Sequence, residues 1–265
     1  MASKTLGSIL AVLILSGCVS VRNIRVDSGA DMTLSPVEAQ KICVDGRAMF
    51  AKQPQTLARV TQAAQMLADA AQILHDDYVA QWAAAEAWAF VADNETNNAV
   101  RIAAAKRGIV FARQARELQP DRVEGHYWYA ITVGLLADAD RVYGLKAVGE
   151  MAPALRRAME LNERYDYAGP VRVLGILVLR TPAPPVSIGS SRKGLRWLQH
   201  ATELFPDYPE NLLYLAEAFR DNHRNTEARE LLNKVINAPP WPDRQFESAG
   251  WKTAAQKLLQ CVPAN

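Results

Sequence analysis

Histidine is scarce in this chain. His75, His126, His200 and His223 are scattered and form no metal-ligand spacing. There is no G-x-S-x-G elbow, no H-E-x-x-H helix and no phosphate-cradling G-x-x-x-x-G-K. The Ile188-Gly189-Ser190-Ser191 run reads as loop chemistry, not as a nucleophile motif. These absences argue against a metal centre, a cofactor or a hydrolytic site, so the expectation is a protein that binds without catalysing. An excess of charge of one sign is also missing. The net charge is only +2, which gives no reason to expect a nucleic-acid partner. Cysteine is sparse too, with Cys18, Cys43 and Cys261 in 265 residues.

The apolar run from Leu6 to Leu15 follows a lone charge at Lys4 and is too short to span a bilayer. A basic start, a short apolar segment and the small-residue exit Ser16-Gly17-Cys18 read as a secretory signal over residues 1–17. Leu15-Ser16-Gly17-Cys18 resembles a bacterial lipobox, which implies cleavage before Cys18 and acylation, palmitate included, of the new N-terminus. Each buried CH₂ of such chains contributes about 0.8 kcal/mol, enough for stable anchoring once several chains are attached. Ordinary secretion with a free Cys18 is the alternative. Val19 rather than Asp after the cysteine implies sorting to the periplasmic face of the outer membrane in a two-membrane cell. Residues 18–34 are polar and aperiodic, and read as a tether reaching roughly 20–25 Å. An oxidising compartment permits a Cys43–Cys261 bridge; two free thiols remain the other option.

What is present is helical periodicity. Leu212, Leu215, Ala216 and Phe219 share one helix face, and Ala228, Leu232 and Val235 share the next. Pro206 and Pro240, which close successive units, are 34 residues apart. Small residues at helix contacts with a closing proline match the tetratricopeptide pattern. Earlier closings fall at Pro120, Glu163 and Pro206, each 43 apart, so the middle units carry about nine extra residues. These additions are expected mainly as inserts between paired helices, around Asp93–Asn98, Asp138–Gly144 and Thr181–Pro185. Ser35-Pro36 with Glu38 predicts a capped helix start, and Pro54 the start of the next. Phe246 to Gln260 predicts an amphipathic cap. The expected fold is all-α: residues 35–265 as one tetratricopeptide-like helical solenoid of about four to five helix pairs with a C-terminal capping helix.

In such a solenoid the first helix of each pair lines the concave side. Ala84, Ala85 and Trp88 are read as packing residues, because burying an unpaired Glu86 in the core would be costly. The concave positions are then Trp82, Glu86 and Phe90; Tyr127, Ile131 and Leu135; and Arg172, Ile176, Leu179 and Arg180. The last pair contributes Leu213, Glu217, Arg220 and Asp221. Large apolar groups on this face predict a groove for a hydrophobic ligand or partner, with Arg172 and Arg180 suited to an anionic head. Plain core, or a pocket walled by the inserts, would use the same residues.

Between Tyr78 and Pro240 the chain resembles the T-component lipoproteins of tripartite ATP-independent periplasmic (TRAP) transporters. The resemblance is carried by Val123-Glu124-Gly125-His126-Tyr127-Trp128-Tyr129-Ala130, Tyr165-Asp166-Tyr167-Ala168-Gly169, Leu174-Gly175 with Ile188-Gly189, and Pro206-Asp207-Tyr208-Pro209-Glu210-Asn211. It implies a lipidated helical protein that works with a periplasmic solute-binding protein and passes on a small hydrophobic ligand. The other reading is an envelope-assembly scaffold that docks a partner protein. Self-association is left open.

Overall fold

The computed structural model describes residues 34–263. The signal segment, Cys18 and nearly all of the tether lie outside the described residues.

Eleven α-helices follow one another among the described residues, and none of these residues forms a strand. α1 (Pro36–Ala51) begins with the capping box that Ser35 and Glu38 announce, each side chain bonding the other's backbone. α2 (Leu57–Ile73) starts three residues after Pro54, capped by Thr56, whose hydroxyl accepts from the Arg59 amide. α3 (Tyr78–Asn94) and α4 (Asn98–Leu118) are capped by Asp77 and Asn97. α5 (Val123–Ala139), a short 3-10 turn (Arg141–Tyr143) and α6 (Gly144–Asn162) form the third pair. α7 (Tyr165–Arg180) pairs with α8 (Ser191–Leu204), α9 (Pro209–Asp221) pairs with α10 (Asn225–Asn237), and α11 (Gln245–Gln260) ends the array.

Alanine explains the tightness of the first turns of the solenoid. Ala80, Ala84, Ala85, Ala104, Ala105 and Ala112 are all buried, and without long side chains between them α3 and α4 approach closely. Gly175 and Gly194 do the same for α7 and α8. A Cβ on Gly194 would sit 2.8 Å from Leu179 Cβ, and one on Gly175 would sit 2.9 Å from Leu198 Cγ. Consecutive helices pack antiparallel in pairs, and α3, α5, α7 and α9 also pack in succession to form the inner layer. A buried Arg101–Asp138 ion pair ties α4 to α5.

The extra residues of the middle units go mostly into helix length. α4 has 21 residues and α6 has 19, against 13 each in α9 and α10. The Asp138–Gly144 and Thr181–Pro185 segments therefore add nothing to the wall of the concave face, whereas Asp93 and Asn94 reach it from the last turn of α3. The Pro-rich segment after α7 folds back locally, with the Ser190 amide donating to Val178 O and the Gly189 amide to Pro182 O.

The wall comes from the C-terminal end instead. α11 packs against both α9 and α10, and the residues leading into it reach the loop that joins α1 to α2. Gln53 Nε2 donates to the Asp243 carbonyl at 3.1 Å across 190 residues of chain. Phe246 lies 5.3 Å from Phe90, and Arg244 bonds Asp166. The solenoid thus curls until its two ends touch. Cys43 (buried) and Cys261 (exposed) are both free thiols, so the bridge that the sequence allowed is not formed. Burial pushes the Cys43 thiol pKa up.

Candidate functional site

Curling forms a half-open cavity of about 110 Å³ on the concave side, lined from α1, α3, α5, α7, α9 and α11. A second, wider pocket of about 440 Å³ adjoins it and shares Phe50, Gln55, Glu86 and Arg244 with it.

The inner helices deliver their side chains at helical spacing. Glu86, Phe90 and Asp93 come from α3; Tyr127, Ile131 and Leu135 from α5; Arg172 and Ile176 from α7; Glu210 and Tyr214 from α9. α11 contributes Glu247 and Trp251, with Arg244 just before it. Of the concave positions read from the sequence, Glu86, Phe90, Tyr127, Ile131, Leu135, Arg172 and Ile176 all face this cavity. Trp82 lies in the outer pocket under Arg47, whose guanidinium is 5.4 Å from its ring. Leu179 and Arg180 line neither. Leu179 packs in the C-terminal core, and Arg180 is paired with Glu217. In the last pair the expected register is off by one: Leu213 is core, and Arg220 pairs with Asp221.

At the base of the cavity sits an ionic cluster built on an unusual turn. Asp166, Tyr167 and Ala168 all have positive φ (47°, 54° and 64°). Three such non-glycine residues in sequence cost on the order of 1–3 kcal/mol each, so the surroundings must over-determine the turn. They do. The Asp166 carboxylate accepts from Tyr127 Oη at 2.5 Å, Arg244 Nη2 at 2.8 Å and Arg172 Nη2 at 3.3 Å. Arg172 also pairs with Glu210 at 3.1 Å and donates to Asn211 Oδ1 and the Tyr167 carbonyl. Gly169 lets Tyr127 lie against the turn, since a Cβ there would meet its hydroxyl at 2.5 Å. Tyr167 stacks on Tyr208 at 4.4 Å, and Trp241 and Trp251 meet the Tyr208 ring edge-on at 5.3 Å.

This arrangement corrects two expectations. Arg172 and Arg180 are committed to carboxylates of the chain itself and are not available to an anionic head. The cavity is also far from purely apolar, because five carboxyl groups and two guanidinium groups line it.

The carboxyls fall into two sets. Burial works against the charge of Asp166, yet Arg244 and Arg172 hold its pKa below the ordinary carboxylate value. Burial pushes Glu210 up in spite of Arg172. Among the described residues Glu86, Asp93 and Glu247 have no ion-pair partner within 4 Å. Burial raises them to about 7, about 8 and about 7. Among the described residues, Glu247 Oε2, Gln55 Oε1 and Tyr214 Oη have no hydrogen-bond partner.

Asp93 is visible in principle, seven residues after Glu86 on the same face, but the break at Asp93–Asn98 hides it. Glu210 and Tyr214 share an i, i+4 stripe one register from the one read. Arg244, Glu247 and Trp251 form an i, i+3, i+7 stripe on the helix that reads only as a cap. Asp166 carries no sequence signal, because its position depends on the left-handed turn.

A family model described as regulator of microtubule dynamics protein 1-3 matches residues 49–169, from the end of α1 to the turn before α7 proper. The fold is similar to a thermophilic tetratricopeptide protein of Thermus thermophilus, with TM-score 0.58 and 19% identity over 80% of this chain and 98% of that one. It is also similar to pilF of Pseudomonas aeruginosa, with TM-score 0.54 and 15% identity over 87% and 95% of the two chains. At these identities the likeness is one of fold: a tetratricopeptide-like solenoid, here curled onto its own last helix.

Proposed function

We propose that this chain is a non-catalytic binding protein of the cell envelope, anchored through Cys18, that holds a small ligand in the cavity at the centre of its solenoid. In line with the T-component resemblance, it works beside a solute-binding protein in uptake, receiving or passing on that ligand. One observation supports a ligand site over an open docking groove. The concave face is narrowed by α11 and the two residues before it, through Gln53–Asp243, Arg244–Asp166 and Phe90–Phe246. An extended partner helix has no free groove to lie in there. A concave, narrowed cavity with aromatic walls and converging polar groups has the character of a small-molecule site.

A second reading, a scaffold for a partner protein, draws on the outer pocket. Its aromatic-and-charged floor of Trp82, Arg47 and Glu86 could receive a side chain from another protein.

Native mass spectrometry on the soluble chain, begun just after Cys18 and purified gently, distinguishes the readings. The expected result is an added small mass, released on denaturation and absent when Ala89, on the cavity wall, is changed to Phe. A bare chain that instead captures a defined envelope protein, equally in the Ala89→Phe variant, would favour the scaffold.

A further inference from the structure

The cavity is short of hydrogen-bond donors and of positive charge. Gln55 is 5% exposed, and its Nε2 donates to the Phe50 carbonyl at 2.9 Å. A carbonyl accepts only from the amide nitrogen, so the orientation is fixed and Oε1 is the atom left without a donor. Glu247 Oε2 is likewise an acceptor with nothing to accept. Tyr214, 2% exposed, lines the same space with a hydroxyl, donor and acceptor alike, that meets no partner among the described residues. Buried polar atoms left unsatisfied in this way cost about 1–3 kcal/mol each and are uncommon in native folds.

The charges point the same way. Arg172 and Arg244 bond Asp166 and Glu210, which leaves Glu86, Asp93 and Glu247 facing the cavity without an ion pair among the described residues. A metal ion does not fit this pattern. Among the described residues no three His, Cys, Asp or Glu groups converge as a metal site would need. The spread carboxylates instead surround a space lined by Phe90, Trp128 and Trp251, and aromatic rings favour an organic cation.

We infer that the cavity binds a protonated amine, its ammonium donating to Gln55 Oε1 and Glu247 Oε2 and balancing Glu86 and Asp93. This rests on the reading of the cavity as a ligand site and names the class of ligand. The inner cavity of about 110 Å³ is somewhat smaller than a ~150 Å³ cavity known to admit benzene, so it takes an ammonium with a short stem. A longer stem continues into the outer pocket that Arg47 and Trp82 help to line. The amine has two sources, a free small molecule or the lysine side chain of a partner.

The test is titration calorimetry on the full chain with n-butylammonium, butyrate and 1-butanol, three probes of similar size and different charge. Butylammonium is expected to bind and butyrate not to bind. Binding at neutral pH should release protons to the buffer, as the cation displaces them from the raised carboxyls. Glu86→Gln and Asp93→Asn should each weaken it by about tenfold or more, with circular dichroism unchanged. Removing an unpaired buried acid relieves the fold, so loss of binding in these variants reads on the site. Tighter binding of acetyl-Gly-Lys-Gly-amide than of butylammonium would identify a partner's lysine, and the reverse a free amine. Butyrate or butanol binding as tightly as butylammonium would overturn the amine assignment while leaving the ligand-site reading intact. If no probe binds, the amine assignment falls; the mass spectrum then decides the ligand-site reading separately, through a co-purified acid or neutral molecule.

Discussion

Arg172 shows what a single side chain does here. Almost wholly buried, it spends its donors on Asp166, Glu210, Asn211 and the Tyr167 carbonyl. Burial opposes its charge, and the Glu210 and Asp166 carboxylates more than offset that, holding its pKa above the ordinary value. Removing one partner of a buried ionic set leaves the others uncompensated, at a cost of about 3–5 kcal/mol. Arg172→Ala is therefore expected to destabilise the protein by that amount in urea unfolding, with loss of the left-handed turn it pins. A loss below ~1 kcal/mol, the usual value of an exposed pair, would mean that the cluster is solvated. The same residue also shows where sequence reading stops. Its place on the inner face follows from periodicity, but its partners do not, because Asp166 and Arg244 reach it through a turn and a chain closure that no local pattern encodes.

At the scale of elements, the helices are largely legible. α1 is capped where Ser35 and Glu38 predict, and Ala84, Ala85 and Trp88 are buried while Trp82, Glu86 and Phe90 are only partly so. Alternation of small and large residues at helical spacing fixes which face packs, and that is local information. The added residues of the middle units read as inserts because period alone cannot separate a longer helix from a longer loop. Capping by Asn97 right after the α3 end shows that the Asn-rich break is short. α11 is legible as an amphipathic helix but not as a wall. Its apolar stripe packs on α9 and α10, and the adjoining stripe of Glu247 and Trp251 faces inward. Only the accumulated curvature of five helix pairs decides what that second stripe meets.

For the molecule as a whole, the buried carboxyls set an unusual response to pH. Glu86, Asp93 and Glu247 titrate near 7, 8 and 7 in the fold, raised by burial, while in the unfolded chain they return to ordinary carboxylate values. Between those limits the folded state holds protons that the unfolded state has released. The stabilisation is complete below the unfolded pKa and is lost as pH rises through 7 to 8. Each group contributes roughly 1–2 kcal/mol of this change between pH 6 and pH 8. Differential scanning calorimetry should therefore show Tm falling on that step by roughly 2–4 °C per kcal/mol at this chain length. A Tm that is flat or rises over the same interval would mean that the three carboxyls are ionised throughout.

Closure of the solenoid is decisive, because the cavity exists only where the residues leading into α11 meet the loop after α1. An electron paramagnetic resonance distance between spin labels at Lys52→Cys and Gln245→Cys, in a Cys261→Ser background, measures it directly. Both label positions are exposed and flank the Gln53–Asp243 contact. One narrow, short-distance population is the predicted result. A broad distribution at long distance would show an open solenoid and contradict the narrowed site.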